Sequence, residues 1–92
     1  MNAPFHPDCV TLDQLGRGVR ARVVAIGWSE LGASEANRLR HFGFDEGVMV
    51  EQLHQGPFGR DPIAMKVDDM RVALRRHEAA SLTVRFEPAR AA

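Results

Sequence analysis

The residues best equipped for chemistry stand near the amino end, where His6, Asp8 and Cys9 place an imidazole, a carboxylate and a thiol within four positions. Such groups ligate Zn(II) or Fe(II), so His6 and Cys9 are the candidate metal ligands. The set falls short of a stable site, because Pro7 limits how the segment wraps around one ion and no Cys-x-x-Cys pair follows. His41, His54 and His77 are scattered along the chain, and each reads as a half-exposed or hydrogen-bonded structural histidine. Nucleophilic catalysis has less to draw on. None of Ser29, Ser34 and Ser81 sits in a Gly-x-Ser-x-Gly elbow, and Gly16-Arg17-Gly18 is too short to cradle phosphate. The single lysine, Lys66, falls inside an extended segment and not behind a glycine loop. A binding protein is expected, without enzymatic activity and without an established cofactor.

Binding surfaces are advertised by aromatics and arginines. Trp28 and Phe58 lie beside glycines, outside the alternating apolar pattern. Each either plugs the end of a core or anchors an interface. Arg71, Arg75 and Arg85 fall on the outward phase of strands, and Arg20 and Arg22 share a face of another. One reading is a solvated face balanced by Glu51, Glu78 and Glu87. The sharper alternative is a stripe that faces a partner, since arginine is enriched at interfaces.

The elements that must carry these residues follow from pattern. Residues 19–26 read as a strand, and 34–42 as a short helix capped by Ser34, with Ala36, Leu39 and Phe42 on one face and Gly43 as terminator. A second strand spans 48–54, after which Gly56-Pro57-Phe58-Gly59 forces a loop. Three period-two segments close the chain: Ile63, Met65 and Val67; Met70, Val72 and Leu74; Leu82, Val84 and Phe86. Asp68 and Asp69 make the first two a tight hairpin, and residues 76–81 hold one helical turn at most. Five strands and one inserted helix can hide their apolar faces only by curling into a small closed barrel. The domain then covers residues 11–87, between a loose arm over 1–10 and a tail over 88–92.

With 92 residues, 45% of them apolar, the chain builds one modest core. Twelve basic and twelve acidic side chains cancel, which removes the positive field that nonspecific nucleic-acid binding needs. A lone cysteine cannot form an internal disulfide, and residues 1–10 lack a secretory pattern, so a cytoplasmic location is expected. The longest apolar run, 23–26, is far below the roughly 20 residues that span a bilayer.

In order and spacing, several segments together resemble the FeoA family. They are Thr11-Leu12-Asp13-Gln14-Leu15 with Gly18; Arg38-Leu39 leading to Phe42-Gly43-Phe44 and Gly47; Gly59-Arg60-Asp61-Pro62-Ile63; and the run Met70 to Ala79. The likeness covers about residues 11–84. It implies an SH3-like barrel and a role beside FeoB, the membrane ferrous-iron permease with a cytosolic G-protein domain. The contact it implies uses the helix over 34–42 and the 56–60 loop, and the candidate contact residues are Trp28, Arg38, Leu39, Phe44, Phe58, Arg60 and Arg71. Two alternatives stand beside this: Fe(II) binding by an arm holding His6 and Cys9, and self-association through exposed sheet edges. The chain departs from the family at Glu46 and Asp69, where proline and glycine are frequent, and in a longer link over 27–33 that carries Trp28.

Overall fold

The structure, a computed structural model, describes residues 9–58 and 61–87. Alternation dictates most of it. Ala21 and Val23 of strand β2 (Arg20–Ile26) turn inward while Arg20 and Arg22 turn out. Strand β4 (Asp61–Val67) buries Ile63, Met65 and Val67, and β6 (Leu82–Phe86) buries Leu82 and Val84. Each such side chain contributes about 1.5–3 kcal/mol when fully removed from water. Strands β3 (Met49–Phe58) and β5 (Met70–Leu74) complete the main meander, with Asp68 taking a positive φ of 52° in the β4–β5 turn, as an aspartate there can.

Four features differ from the expectation. The sheet has six strands, because β1 (Cys9–Thr11) pairs antiparallel with β6 and thus draws Cys9 and Val10 out of the expected arm. Three residues are too few for a periodicity signal, and only the partner strand makes them extended. The strand order is β1-β6-β2-β3-β4-β5, so the sheet does not close among the described residues. Its interior is covered instead by Leu12 of a 3-10 turn at Leu12–Gln14, by Leu15 just after it and by Ala79 of the one-turn helix α2 (Arg76–Ala79), all buried in the core. Side chains that plug the open end shield the core without strand pairing. Third, β3 runs on through Gly56 and Pro57 to Phe58, where a loop was expected, with register shifts between Gln52 and His54 and between Gln55 and Phe58. Bulges of this kind absorb residues that cannot keep the ladder. Last, the outer ends of two inward phases stay wet: Met70 is 47% and Phe86 37% exposed.

Helix α1 spans Ala33–His41, one residue earlier than expected, with Gly32 and not Ser34 at its cap. Glu35 reaches back and accepts from the Gly32 N–H at 3.0 Å, satisfying an otherwise orphan donor. At the far end the Phe44 N–H donates to Leu39 O at 3.1 Å and the Gly43 N–H to Arg40 O at 3.0 Å. This paired closure needs a left-handed residue, and Gly43 has φ of 92°. Leu39 and Phe44, at either end of this closure, both belong to the core. No helix among the described residues is long and apolar enough to cross a membrane.

Candidate functional site

Two constructions are built on α1. The first is a corner made by the extended link before it. The Gly27 N–H donates to Ser81 O at 2.7 Å, which starts a 3-10 turn over Trp28–Glu30. That turn lays the half-buried Trp28 against the core, and the Arg40 guanidinium stacks over its ring at 4.3 Å from the centroid. Trp28, Arg40, Gly43, Phe44 and Asp45 line an open cleft of about 350 Å³. It presents an aromatic face, a cation and a carboxylate together, a combination suited to gripping a protein surface.

The second construction is a charged clamp. Arg38 Nη1 donates to both carboxylate oxygens of Glu78, at 3.0 and 2.9 Å, while Nη2 donates to Ala73 O at 2.8 Å. Glu78 is 1% exposed and also accepts from the Arg75 N–H at 2.9 Å. The expected role of Glu78 as a solvated counter-charge is therefore corrected: it is an interior carboxylate whose oxygens are used by Arg38 and by the start of α2. Beside it Glu35 meets His77 Nε2. That hydrogen bond raises the His77 pKa above 6.5, and it is the largest of the causes that lower Glu35 below 4.5, followed by the Gly32 N–H.

The seven residues expected at a contact surface separate. Trp28 is half-buried at the corner, and Arg71 is exposed on the edge strand β5. Arg38 is engaged in the clamp, with 40% of its side chain exposed. Leu39 and Phe44, 0% and 3% exposed, are core residues, Phe44 also forming part of the wall of the Trp28–Arg40 cleft. Arg60 and the side chain of Phe58 lie outside the described residues, as does His6. Cys9 is a half-buried free thiol on β1, and no group of three or more His, Cys, Asp or Glu that could hold a metal occurs among the described residues. Sequence reasoning missed Arg40, whose position before Gly43 in the last helical turn marks it as a neighbour of the cap. It also missed Glu78 as a capping residue, although it stands three positions after Arg75, the spacing at which a glutamate reaches back to a helix start.

The sequence pattern of the FeoA domain matches residues 10–86. Among solved structures, FeoA from Stenotrophomonas maltophilia, complexed with zinc and described as a prokaryotic SH3 domain protein, is 35% identical with a TM-score of 0.68, the match covering 82% of this chain and 88% of that one. FeoA from Chlorobium tepidum is 30% identical with a TM-score of 0.73, over 84% of this chain and 70% of that one. A manganese-dependent transcriptional repressor, 19% identical with a TM-score of 0.76, covers 91% of this chain and 44% of its own; it shares the fold. No match occurs among curated proteins. The SH3-like sheet and the match along most of its length have one meaning: the chain belongs to the FeoA family, which is associated with ferrous iron transport.

Proposed function

We propose that the protein supports ferrous iron uptake as a non-catalytic adaptor, docking from the cytosolic side on a FeoB-type permease. Family membership over residues 10–86 is the observation that carries this reading. The S. maltophilia relative is described as a candidate ferrous iron transport activating factor, which supports the same direction. The Trp28–Arg40 corner is the surface best suited to the contact, because it offers a rigid aromatic and a cation beside an open cleft. Aromatic and arginine anchors of this sort dominate the energetics of protein interfaces.

Capture of a FeoB-type permease from detergent-solubilised membranes by the tagged protein tests the reading. Arg40→Glu reverses an exposed charge and is expected to lower capture about tenfold or more, the effect of removing a contact worth some 1.4 kcal/mol. Arg17→Glu, an equal charge change at an exposed residue outside the corner, keeps capture intact. Full capture by Arg40→Glu would remove the corner from the contact, and no capture by the unaltered protein would remove the adaptor.

A further inference from the structure

The outer face of the sheet carries two pairs of like charges in direct cross-strand register. Arg22 of β2 stands opposite Arg85 of β6, and Lys66 of β4 stands opposite Arg71 of β5. Arg20 lies two residues from Arg22 on the same face, opposite Glu51, which in turn faces Lys66. The intervening residues Ala21, Val50, Val67 and Val84 are buried, so the charged ones share the solvent side. Like charges directly opposite each other weaken a sheet. A stability-driven sequence would place an acid at one member of each pair.

Little within the protein offsets this. Arg22 pairs with Glu87 at 3.2 Å and donates to Gly47 O at 2.9 Å. Arg20, Lys66, Arg71 and Arg85 have no ion-pair partner among the described residues. Five cations therefore stand against three carboxylates, Glu51, Glu87 and, beside Arg20 and Lys66, Asp68, on a face of a chain whose net charge is zero. The positive charge is concentrated here and balanced elsewhere.

We infer that this outer face, centred on the Arg22–Arg85 and Lys66–Arg71 pairs, docks an acidic segment of a partner protein whose carboxylates relieve both pairs. Planar guanidinium groups match carboxylates with directional paired hydrogen bonds. Separated acids on a protein suit the pattern better than a polyphosphate or a lipid surface. Glu51 and Glu87 interrupt the basic field, Asp68 and Asp69 flank it at the β4–β5 turn, and zero net charge gives no long-range attraction to a polyanion. The inference goes beyond the transporter contact, since this face shares no residue with the Trp28–Arg40 cleft.

The test uses the full chain and a labelled short peptide of alternating glutamate and serine, with anisotropy read at low and at physiological salt. Binding that weakens with salt is expected, and the double variant Arg71→Glu/Arg85→Glu is expected to lower affinity on the order of tenfold, while Arg17→Glu changes it less than about twofold. Arg85→Glu alone is expected to raise the thermal midpoint, because Arg22 would then face a carboxylate. That rise accompanying lost binding separates a docking face from a merely structural one. No peptide binding, an equal loss in Arg17→Glu, or a lowered midpoint in Arg85→Glu would each overturn the inference. So would equal or tighter binding of phosphatidylserine vesicles or single-stranded DNA under the same salt.

Discussion

Arg38 and Glu78, forty positions apart, form the contact that ties α1 to the corner between β5 and α2: one guanidinium nitrogen serves both carboxylate oxygens and the other holds Ala73 O. The carboxylate is interior and the arginine only partly so, 1% against 40% exposed. An interior charge is tolerable only while its partners are present.

Removal of the cation is therefore expected to cost more than an ordinary surface change. Arg38→Ala leaves the Glu78 carboxyl buried without its cation, and its loss of stability should fall near the lower end of the roughly 3–5 kcal/mol typical of a broken buried pair, because water reaches Arg38. Urea unfolding of Arg38→Ala and of the double variant Arg38→Met/Glu78→Leu checks this. The double variant should recover much of the loss, and a single variant as stable as the parent would show that the clamp contributes nothing.

The neighbouring pair, Glu35 with His77, gives a pH signature. His77 is raised above 6.5 by Glu35, so its contribution is complete below 6.5 and is lost as pH climbs through the raised value. Glu35 is lowered below 4.5, so its contribution is complete above 4.5 and is lost as pH falls through the lowered value. The two conditions overlap between pH 4.5 and 6.5. Glu78 adds to the rise of His77, Arg75 opposes it, and Arg38 helps keep Glu35 ionised. A series of thermal midpoints for the parent and His77→Gln should show its largest gap in that window and a shrinking gap in alkali. A gap independent of pH would assign His77 a packing role only.

Trp28 is the only tryptophan, so its fluorescence reports the corner alone. Arg40→Ala uncovers the ring face that the guanidinium now stacks on at 4.3 Å. The emission maximum should move to longer wavelength, while stability falls by about 0.5–1 kcal/mol, the size of an exposed cation–π contact. An unmoved emission band would mean that Arg40 does not cover the ring in solution.

Gly47 holds a φ of 89°, and a methyl group built there would meet nothing within 4 Å. Its N–H donates to Val23 O at 2.7 Å, and its carbonyl accepts from Arg22. Gly47→Ala should accordingly lose about 1–2 kcal/mol through backbone conformation alone, with no steric share. Gly47→Asn should lose less, since asparagine tolerates that region. Denaturant midpoints of the two variants, compared with the parent, decide it; equal stabilities would place Gly47 in an unstrained turn.

Alternation made the inward faces of β4 and β6 legible, and with them a small, mainly β fold, because period two is a property of one strand at a time; the SH3-like class came with the family resemblance. Gly43 as the helix stop was legible for the same reason: a left-handed residue is a local demand. The resemblance in motif order, from Thr11 through Ala79, was legible too, and the match over residues 10–86 bears it out. Only the tertiary structure decided what depends on meeting across the chain. Cys9 and Val10 became a strand because β6 offers them hydrogen bonds. Leu39 and Phe44 are core residues because the helix closure at Gly43 brings the chain back so that the Phe44 N–H meets Leu39 O beside the interior. Glu78 is interior because Arg38 arrives from forty positions away, and burial of a charge depends on its partner's location in space, which no spacing along the chain encodes.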